Sequence, residues 1–303
     1  MRIATTQYQS TMNQSLQINQ ERISYITQQL ATNKRILVPS DDPVDSVRLA
    51  RLSREEAAVT QYRANISAIE IRLSKTEGYL SNMSKEMIVG RDTIVWASDG
   101  GNAPDDLKAM VSPLESLRDS LLYTANTIDP EGNYIFAGTL TKTKPMVYDP
   151  TAPLGSRYTY VGNTNKQEVM VGDGITQAGN TDLKGLEKLL NQLDASIETI
   201  KVPGASPNDA AVRAVLTANL DGFDAALNLV SSKVATIGGS QKIMETLDTN
   251  HANISLSNKM AAADIGALDV GEAATSLSGY SSALQATYKA YSRIGSMSLF
   301  SVL

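Results

Sequence analysis

The chain has 303 residues, a formal net charge of −5 and a pI near 5.1. It contains no cysteine, one histidine (His251) and only 5% aromatic residues. These values exclude disulfides and multi-histidine zinc sites, argue against nucleic-acid and anionic-membrane partners, and favour paired helices over a thick globular core.

The first predicted element is a helix over residues 12–30. Its apolar side chains recur at alternating steps of three and four residues, and Asn19 stands at the one missing position. A polar residue in such a seam costs stability but can fix register and partner. We expect residues 36–38 to be briefly extended. The seam consists of Met12, Leu16, Ile23, Ile26 and Leu30.

A second helix is predicted to begin at Pro43 and to run to about Trp96, roughly 50 residues or ~80 Å. In the turn before it, Asp42 is the expected N-cap, and Pro43 suits the first helical position. The neighbouring pair Asp41-Asp42 could be an acid/base or metal pair, but adjacent residues at a helix start favour capping. The seam of this helix is interrupted only at Glu55, Thr76 and Gly90.

A turn at residues 99–102 should fold the next helix back against the second as an antiparallel hairpin. Its seam begins at Leu107 and continues to Ile128. Pro113 falls inside this helix, within a capping-box pattern at residues 112–115. We expect one continuous but bent helix.

The pattern changes between residues 134 and 180. Three runs are β-prone, separated by Gly, Asn, Asp and Pro clusters: Tyr134–Ala137, Tyr158–Val161 and Gln167–Val171. Gly172-Asp173-Gly174 lacks a Walker lysine or a dinucleotide-binding context, and is interpreted as a turn. Helical periodicity then returns at residues 183–193, from about Asn208 past Ile265, and again over residues 270–291.

These elements predict a mainly α fold with a small β-rich insert. The N- and C-terminal halves would form a long antiparallel helical rod or coiled-coil bundle, over residues 41–133 and 181–265. The insert would occupy residues 134–180. Residues 1–40 and 266–303 would be terminal assembly helices, disordered or frayed in the monomer because isolated amphipathic helices are marginal in water.

Candidate chemistry is sparse. His251 follows a helical seam, and no motif brings a serine and a carboxylate to it, so a structural or interfacial role is favoured. Tyr288 and Tyr291 could stack on nucleic acid, but in an acidic chain they are better explained as packing residues. We therefore expect no catalytic, cofactor-binding or metal-binding residues, and no cofactor.

No cleavable signal peptide is recognisable, because the longest apolar run in the first forty residues is Ile36-Leu37-Val38. No segment reaches the roughly 18–20 apolar residues that span a bilayer. The sequence alone suggests a cytoplasmic protein and leaves export without a cleaved leader open.

Several motifs at the two ends and the centre carry a family resemblance: MRIAT at Met1–Thr5, QLATNKRI at Gln29–Ile36, PSDDP at Pro39–Pro43, GNYIFAG at Gly132–Gly138, ALQATY at Ala283–Tyr288 and SMSLF at Ser296–Phe300. The chain resembles the flagellin superfamily, and within it most closely the FlgL-type hook-associated protein 3 family of hook–filament junction proteins. Residues 145–205 carry no such motif and would be the variable domain.

Two positions depart from the family pattern. Asn33 stands where the family usually has a glycine, and asparagine tolerates a left-handed backbone better than most residues. We therefore expect the turn to persist. Pro113 is not an expected feature of the rod.

The resemblance implies a structural adaptor rather than an enzyme. Copies would form a ring, with the terminal helices in an inner coiled-coil tube. The preceding hook-associated protein would lie on one side and flagellin on the other. The chain would leave the cell unfolded through the flagellar type III apparatus, without a cleaved signal peptide, after an export chaperone had covered its C-terminal segment. No nucleic acid or membrane partner is expected.

The terminal seams and the turn are the expected sites. The turn is formed by Asp41, Asp42 and Pro43. Two alternatives stay open at this stage: a flagellin that polymerises into the filament itself and, more distantly, an enzyme or binding module in residues 134–205. The expected assembly interface comprises Met12, Leu16, Ile23, Ile26, Leu30, Leu277, Leu284, Tyr288, Tyr291, Leu299 and Phe300.

Overall fold

The computed structural model describes the backbone of residues 2–296 and the side chains of residues 7–293. This part of the chain is mainly helical with two small antiparallel sheets, which confirms the predicted fold class. Its elements are α1 Arg2–Thr32, α2 Pro43–Ala97, α3 Pro104–Ala109, α4 Val111–Ala125, β1 Met146–Tyr148, β2 Tyr158–Tyr160, β3 Glu168–Gly172, β4 Ile175–Ala178, α5 Leu186–Lys201, α6 Ala210–Gly266 and α7 Val270–Ser296.

The elements form two compact units. The terminal unit comprises Met1–Val59 and Ala252–Leu303, and the central unit comprises Thr60–His251. The helix predicted from Pro43 to about Trp96 is α2, which ends one residue later, at Ala97. The predicted division of the chain into terminal helices, rod and insert stays a prediction.

Helices α2 and α6 run antiparallel within the central unit. Arg63 pairs with Asp248 and Arg91 with Asp224, each at 2.7 Å. The residue numbers of the paired positions therefore increase along α2 and decrease along α6. Their seams are buried in one core with residues of α4 and α5. Each large apolar side chain buried in this way stabilises the fold by roughly 1.5–3 kcal/mol. The α2 seam contributes Ile66, Ile69, Leu73, Leu80, Met83, Met87 and Ile94.

Two of the three interruptions of the α2 seam, Gly90 and Thr76, have local explanations. Gly90 leaves space for Phe223 of α6 and Leu117 of α4, whose side chains would collide with a β-carbon at this position. Thr76 is buried, and its hydroxyl donates to the Arg72 carbonyl at 2.9 Å. Both positions therefore belong to the core although neither residue is a large apolar one.

The expectation of one bent helix across Pro113 is wrong, because the chain forms two helices that separate at Met110. Pro113 has no N–H with which to reach the carbonyl of Ala109, so the helical hydrogen-bond ladder is interrupted one turn earlier. The predicted capping box is absent as well. No side chain caps α4, and Glu115 pairs with Lys201 of α5 at 2.8 Å instead.

The β-rich region contains two hairpins, β1 with β2 and β3 with β4. Strands β2 and β3 fall in predicted β-prone runs, and Asp173-Gly174 forms the turn between β3 and β4, with Gly174 at φ +67°. The predicted strand Tyr134–Ala137 is wrong. It contains turns, with isolated bridges at its two ends, because Gly132 and Gly138 have positive φ and bend the chain on both sides.

Two buried carboxylates tie this region to the helices of the central unit. Asp194 of α5 lies 3.1 Å from Arg118 of α4 and 3.0 Å from Arg157, the residue before β2. Asp182 lies 3.3 Å from Lys166 and 3.0 Å from Lys233 of α6. Burial of a carboxylate is tolerated when opposite charges surround it.

The terminal unit contains α1, α7 and the adjoining ends of α2 and α6. Helix α1 packs against α7. The two run antiparallel, because Lys34, just after α1, makes a backbone bridge with Ala267, just before α7. In the part of the chain that the structure describes, no helix is both long and apolar enough to cross a membrane.

Candidate assembly surface

The predicted seam of α1 lies on the covered side of that helix, where α7 packs. Ile26 is buried at 8% exposure, and the other members are half-buried. Asn19 is half-buried in the same row, as the seam pattern requires. The apolar side chains of the seam are therefore partly buried within a single chain. The half-buried members are Met12, Leu16, Ile23 and Leu30.

The predicted residues of α7 divide into two groups. Leu277 and Leu284 are half-buried and follow the buried Ala273 along one face. Tyr288 and Tyr291 are 52% and 41% exposed. Most of the packing that we expect of the two tyrosines would therefore involve a partner, and their role stays a prediction.

Other exposed apolar residues of the terminal unit were not predicted. Tyr8 and Ile18 of α1 and Val270 of α7 are each more than 40% exposed. A sequence signal existed for all three, since Tyr8 and Ile18 are apolar residues outside the α1 seam and Val270 is the first residue of the three–four register of α7. Two predicted interface residues, Leu299 and Phe300, lie outside the described residues. We name the exposed large apolar residues described on α1 and α7, which are Tyr8, Ile18, Val270, Tyr288 and Tyr291, the exposed terminal residues.

The turn before α2 is organised by Asp42 and Arg35. An Asp42 oxygen accepts the Asp45 N–H at 3.1 Å, which is N-cap geometry. Arg35 contacts Asp42 at 3.2 Å and Asp45 at 2.6 Å, and it also donates to the Ile265 carbonyl near the end of α6. The backbone bond and the guanidinium hold the pKa of Asp42 below its usual value. Pro43 is the first residue of α2.

Asp41 serves the preceding turn rather than acting with Asp42. Its carboxylate accepts the backbone N–H groups of Leu37 and Val38 at 3.0 and 2.9 Å. A hydrogen bond from the Tyr25 hydroxyl, together with these backbone bonds, lowers the pKa of Asp41. Both carboxylates are thus engaged in local structure, and the described residues contain no acidic, histidine or cysteine group arranged for a metal ion.

Asn33 has the left-handed backbone expected of it, with φ +54°. It is the one described non-glycine residue with positive φ. The next residues, Lys34 and Arg35, bond through their backbones to the end of α6 and the segment that follows it. The sharp turn at Asn33 therefore leads the chain from α1 into this junction.

His251 has a structural position in the central unit. It is 8% exposed, and its Nε2–H donates to the Val171 carbonyl of β3 at 2.8 Å. Because a carbonyl only accepts, this contact places a proton on Nε2. The ring also lies 5.5 Å from the Tyr62 ring, and Nδ1 is buried without a hydrogen-bond partner. His251 thus holds the β3–β4 hairpin against α6.

The motif Gly132–Gly138 is anchored by a tyrosine outside it. The Tyr160 hydroxyl lies 2.9 Å from the Phe136 carbonyl and 3.0 Å from the Asn163 carbonyl, and Phe136 is fully buried. Burial raises the pKa of Tyr160. Its hydroxyl therefore keeps its proton and acts as a hydrogen-bond donor.

Comparison with known proteins identifies the family. Residues 3–141 match the bacterial flagellin N-terminal helical region. Flagellar hook-associated protein 3 of Escherichia coli (strain K12) is 30% identical over 319 residues, covering 99% of each chain. A solved structure of a protein assigned as a flagellar hook-associated protein from Vibrio parahaemolyticus has 29% identity and a TM-score of 0.68, and it covers 75% of this chain and 100% of that one. Because the Escherichia coli relative is matched along nearly its whole length, this chain belongs to the flagellar hook-associated protein 3 family.

Proposed function

We propose that the chain is a structural component of the bacterial flagellum, an adaptor at the junction of hook and filament. Its terminal helices would join the preceding hook-associated protein to flagellin. The observation that carries the proposal is the α1–α7 pair, which leaves Tyr288 and Tyr291 exposed in a chain of this family. Exposed apolar groups of this kind mark surfaces that other proteins cover.

The proposed mechanism is completion of the helix pair by neighbouring copies. Two helices cover only one side of each other, so most seam residues stay half-buried in the single chain. Packing of further copies in a ring would bury the rest and add the free energy that an isolated pair lacks. In this proposal, the terminal helices fray in the free monomer and become ordered on assembly.

The remaining parts of the proposal concern delivery. The chain would reach the cell exterior unfolded, by the flagellar export route, and a chaperone would cover its apolar C-terminal segment beforehand. A cysteine-free chain suits such a route, because no disulfide can block threading. The role is non-catalytic and requires no cofactor.

Deletion of the gene followed by electron microscopy and assay of the medium tests the proposal. We expect hooks without filaments, with flagellin released into the medium as monomer. Re-expression of the full chain should restore filaments. Normal filaments in the deletion strain would overturn the junction role.

One alternative has an observation in its favour, since the flagellin N-terminal region matches residues 3–141. A filament flagellin would polymerise in bulk. Purified full-length chain that grows long filaments by itself would support that alternative, whereas a junction adaptor should stop at short rings or remain monomeric.

A further inference from the structure

A groove of about 570 Å³ lies within the terminal unit, between the start of α2 and the end of α6. The volume is within the roughly 300–1,000 Å³ of typical ligand sites. Leu49 and Leu52 form one wall, and a run of small residues at the end of α6 and just after it forms the other, which keeps the groove open. The small residues are Ala262, Ala263, Gly266 and Ala267.

The C-terminal segment of the chain has the chemistry to fill this groove. Residues 297–303 carry no charged side chain, and five of the seven residues are apolar: Met297, Leu299, Phe300, Val302 and Leu303. Such a segment gains free energy by leaving water for a largely apolar groove. Polar residues also line the groove, and two of them, Lys259 and Glu56, pair with each other at 3.2 Å.

Seven residues are too few to span from the end of α7 back to the groove of the same chain. Helix α7 begins three residues after Ala267, which lines the groove, and it runs away along α1. Its 27 residues span about 40 Å at 1.5 Å per residue. The seven residues beyond it reach back at most about 25 Å even when fully extended. The distance back along α7 therefore exceeds the longest reach of seven residues by about 15 Å.

We propose that the groove receives residues 297–303 of a second copy of this chain, so that copies join head to tail. The inference rests on the proposed function, because it requires assembled copies. It adds a specific contact to that function: the C-terminal segment of one copy binds the α2–α6 groove of the next. The turn at Asn33 would lie beside this contact.

Cross-linking tests the contact cleanly, because the natural chain has no cysteine. A full-length Ala263→Cys/Ser301→Cys variant is expressed in the deletion strain, and hook–filament preparations are oxidised and separated on a non-reducing gel. We expect dimers and longer multimers, at least tenfold above a control. The matched control is Ala225→Cys/Ser301→Cys, since Ala225 is another exposed alanine of α6 outside the groove.

The outcomes separate the inference from the proposed function. An internally cross-linked monomer, or no excess of multimers while the chain is present in the hook fraction, overturns the groove contact and leaves the junction role intact. Absence of the chain from the hook fraction in the wild-type strain overturns the junction role and the contact with it. As a second readout, Ala263→Trp should abolish incorporation while Ala225→Trp does not.

Discussion

Gly90 and Gly78 lie on the same helix in opposite environments. A β-carbon at Gly90 would lie 2.9 Å from Phe223 Cζ and closer still to Leu117, whereas one at Gly78 would meet nothing within 4 Å. We predict that Gly90→Ala destabilises the central unit by about 1–3 kcal/mol through overpacking. Urea unfolding followed by circular dichroism measures the change.

Gly78→Ala is the matched control for Gly90→Ala. It adds the same methyl group to α2 where there is room, so we expect a gain of about 0.5–1 kcal/mol from helix propensity. Equal effects of the two substitutions would contradict the close packing described around Gly90.

Asp182 makes the central unit sensitive to acid. Burial disfavours its charge, but the ammonium groups of Lys233 and Lys166 outweigh this and hold the pKa of Asp182 below its usual value. The stabilisation is therefore present above the unfolded-state pKa of about 4 and is lost as the pH falls through the lower folded-state pKa. Unfolding measured between pH 7 and pH 3 should show this loss.

Asp182→Asn should lower the free energy of unfolding by about 2 kcal/mol at pH 7, since it removes the charge between two lysines. The deficit relative to wild type should shrink as the pH falls below about 4, because the wild type then begins to lose the stabilisation that its ion pairs supply. The exposed Asp221 provides the control, and Asp221→Asn should change stability by less than about 0.5 kcal/mol. A deficit independent of pH would contradict the ion-pair explanation.

These residue-scale features were the least predictable from the sequence. Asp182 and Lys233 are 51 positions apart, so no local pattern relates them. Arg35 is similar, because its role depends on the Ile265 carbonyl at a separation of 230 residues. By contrast, the cap at Asp42 and the left-handed Asn33 were predictable, since both follow from the intrinsic preferences of single residues near the turn.

At the scale of elements, the β3–β4 hairpin is bonded to α6 through His251 and to α2 through Asn65, whose amide donates to the Met170 carbonyl at 2.8 Å. We predict that His251→Ala raises hydrogen exchange of residues 168–178 by about 10–100-fold, because it leaves the buried Val171 carbonyl without its donor at a cost of about 1–3 kcal/mol. Helical content should stay unchanged. Hydrogen exchange read out by mass spectrometry measures the effect.

His251→Gln controls for the lost hydrogen bond, because the glutamine amide can donate from a similar position. It should retain most of the protection of the hairpin. Exchange as fast as in His251→Ala would show that packing of the ring, rather than its N–H, holds the hairpin.

Helices were predicted well because their periodicity is a local property of the sequence. The start of α2 and the long final helix α6 follow from that pattern and from the caps. Tyr134–Ala137 was mispredicted because its β propensity is overruled by the flanking positive-φ glycines. The break at Met110 was missed because the sequence shows the position of Pro113 but does not show whether the helix bends there or divides into two.

At the scale of the whole molecule, two of the predicted interface residues of α7, Leu284 and Tyr288, should behave differently when a charge is introduced. Tyr288→Glu changes an exposed side chain, so α1 and α7 should pair in the purified chain to the same extent as in the wild type, while incorporation into the flagellum is lost. Leu284→Glu places a charge on the half-buried face and should weaken the pair as well. Filament counts and limited proteolysis of the purified chain report the two effects separately.

Exposed Ser282 on the same helix gives a control, since Ser282→Glu should leave both readouts near wild type. Normal filament growth with Tyr288→Glu would contradict the role proposed for the exposed terminal residues.

The terminal unit is assembled from both ends of the chain, whereas the central unit uses one uninterrupted stretch. On the ribosome, where every chain is made from its N-terminus, residues 60–251 are therefore complete before the last part of the terminal unit has been added. Helix α1, although first to arrive, must wait for α7, which comes last. The pairing of the two ends is therefore the last step, because α1 and α7 can meet only after nearly the whole chain is present.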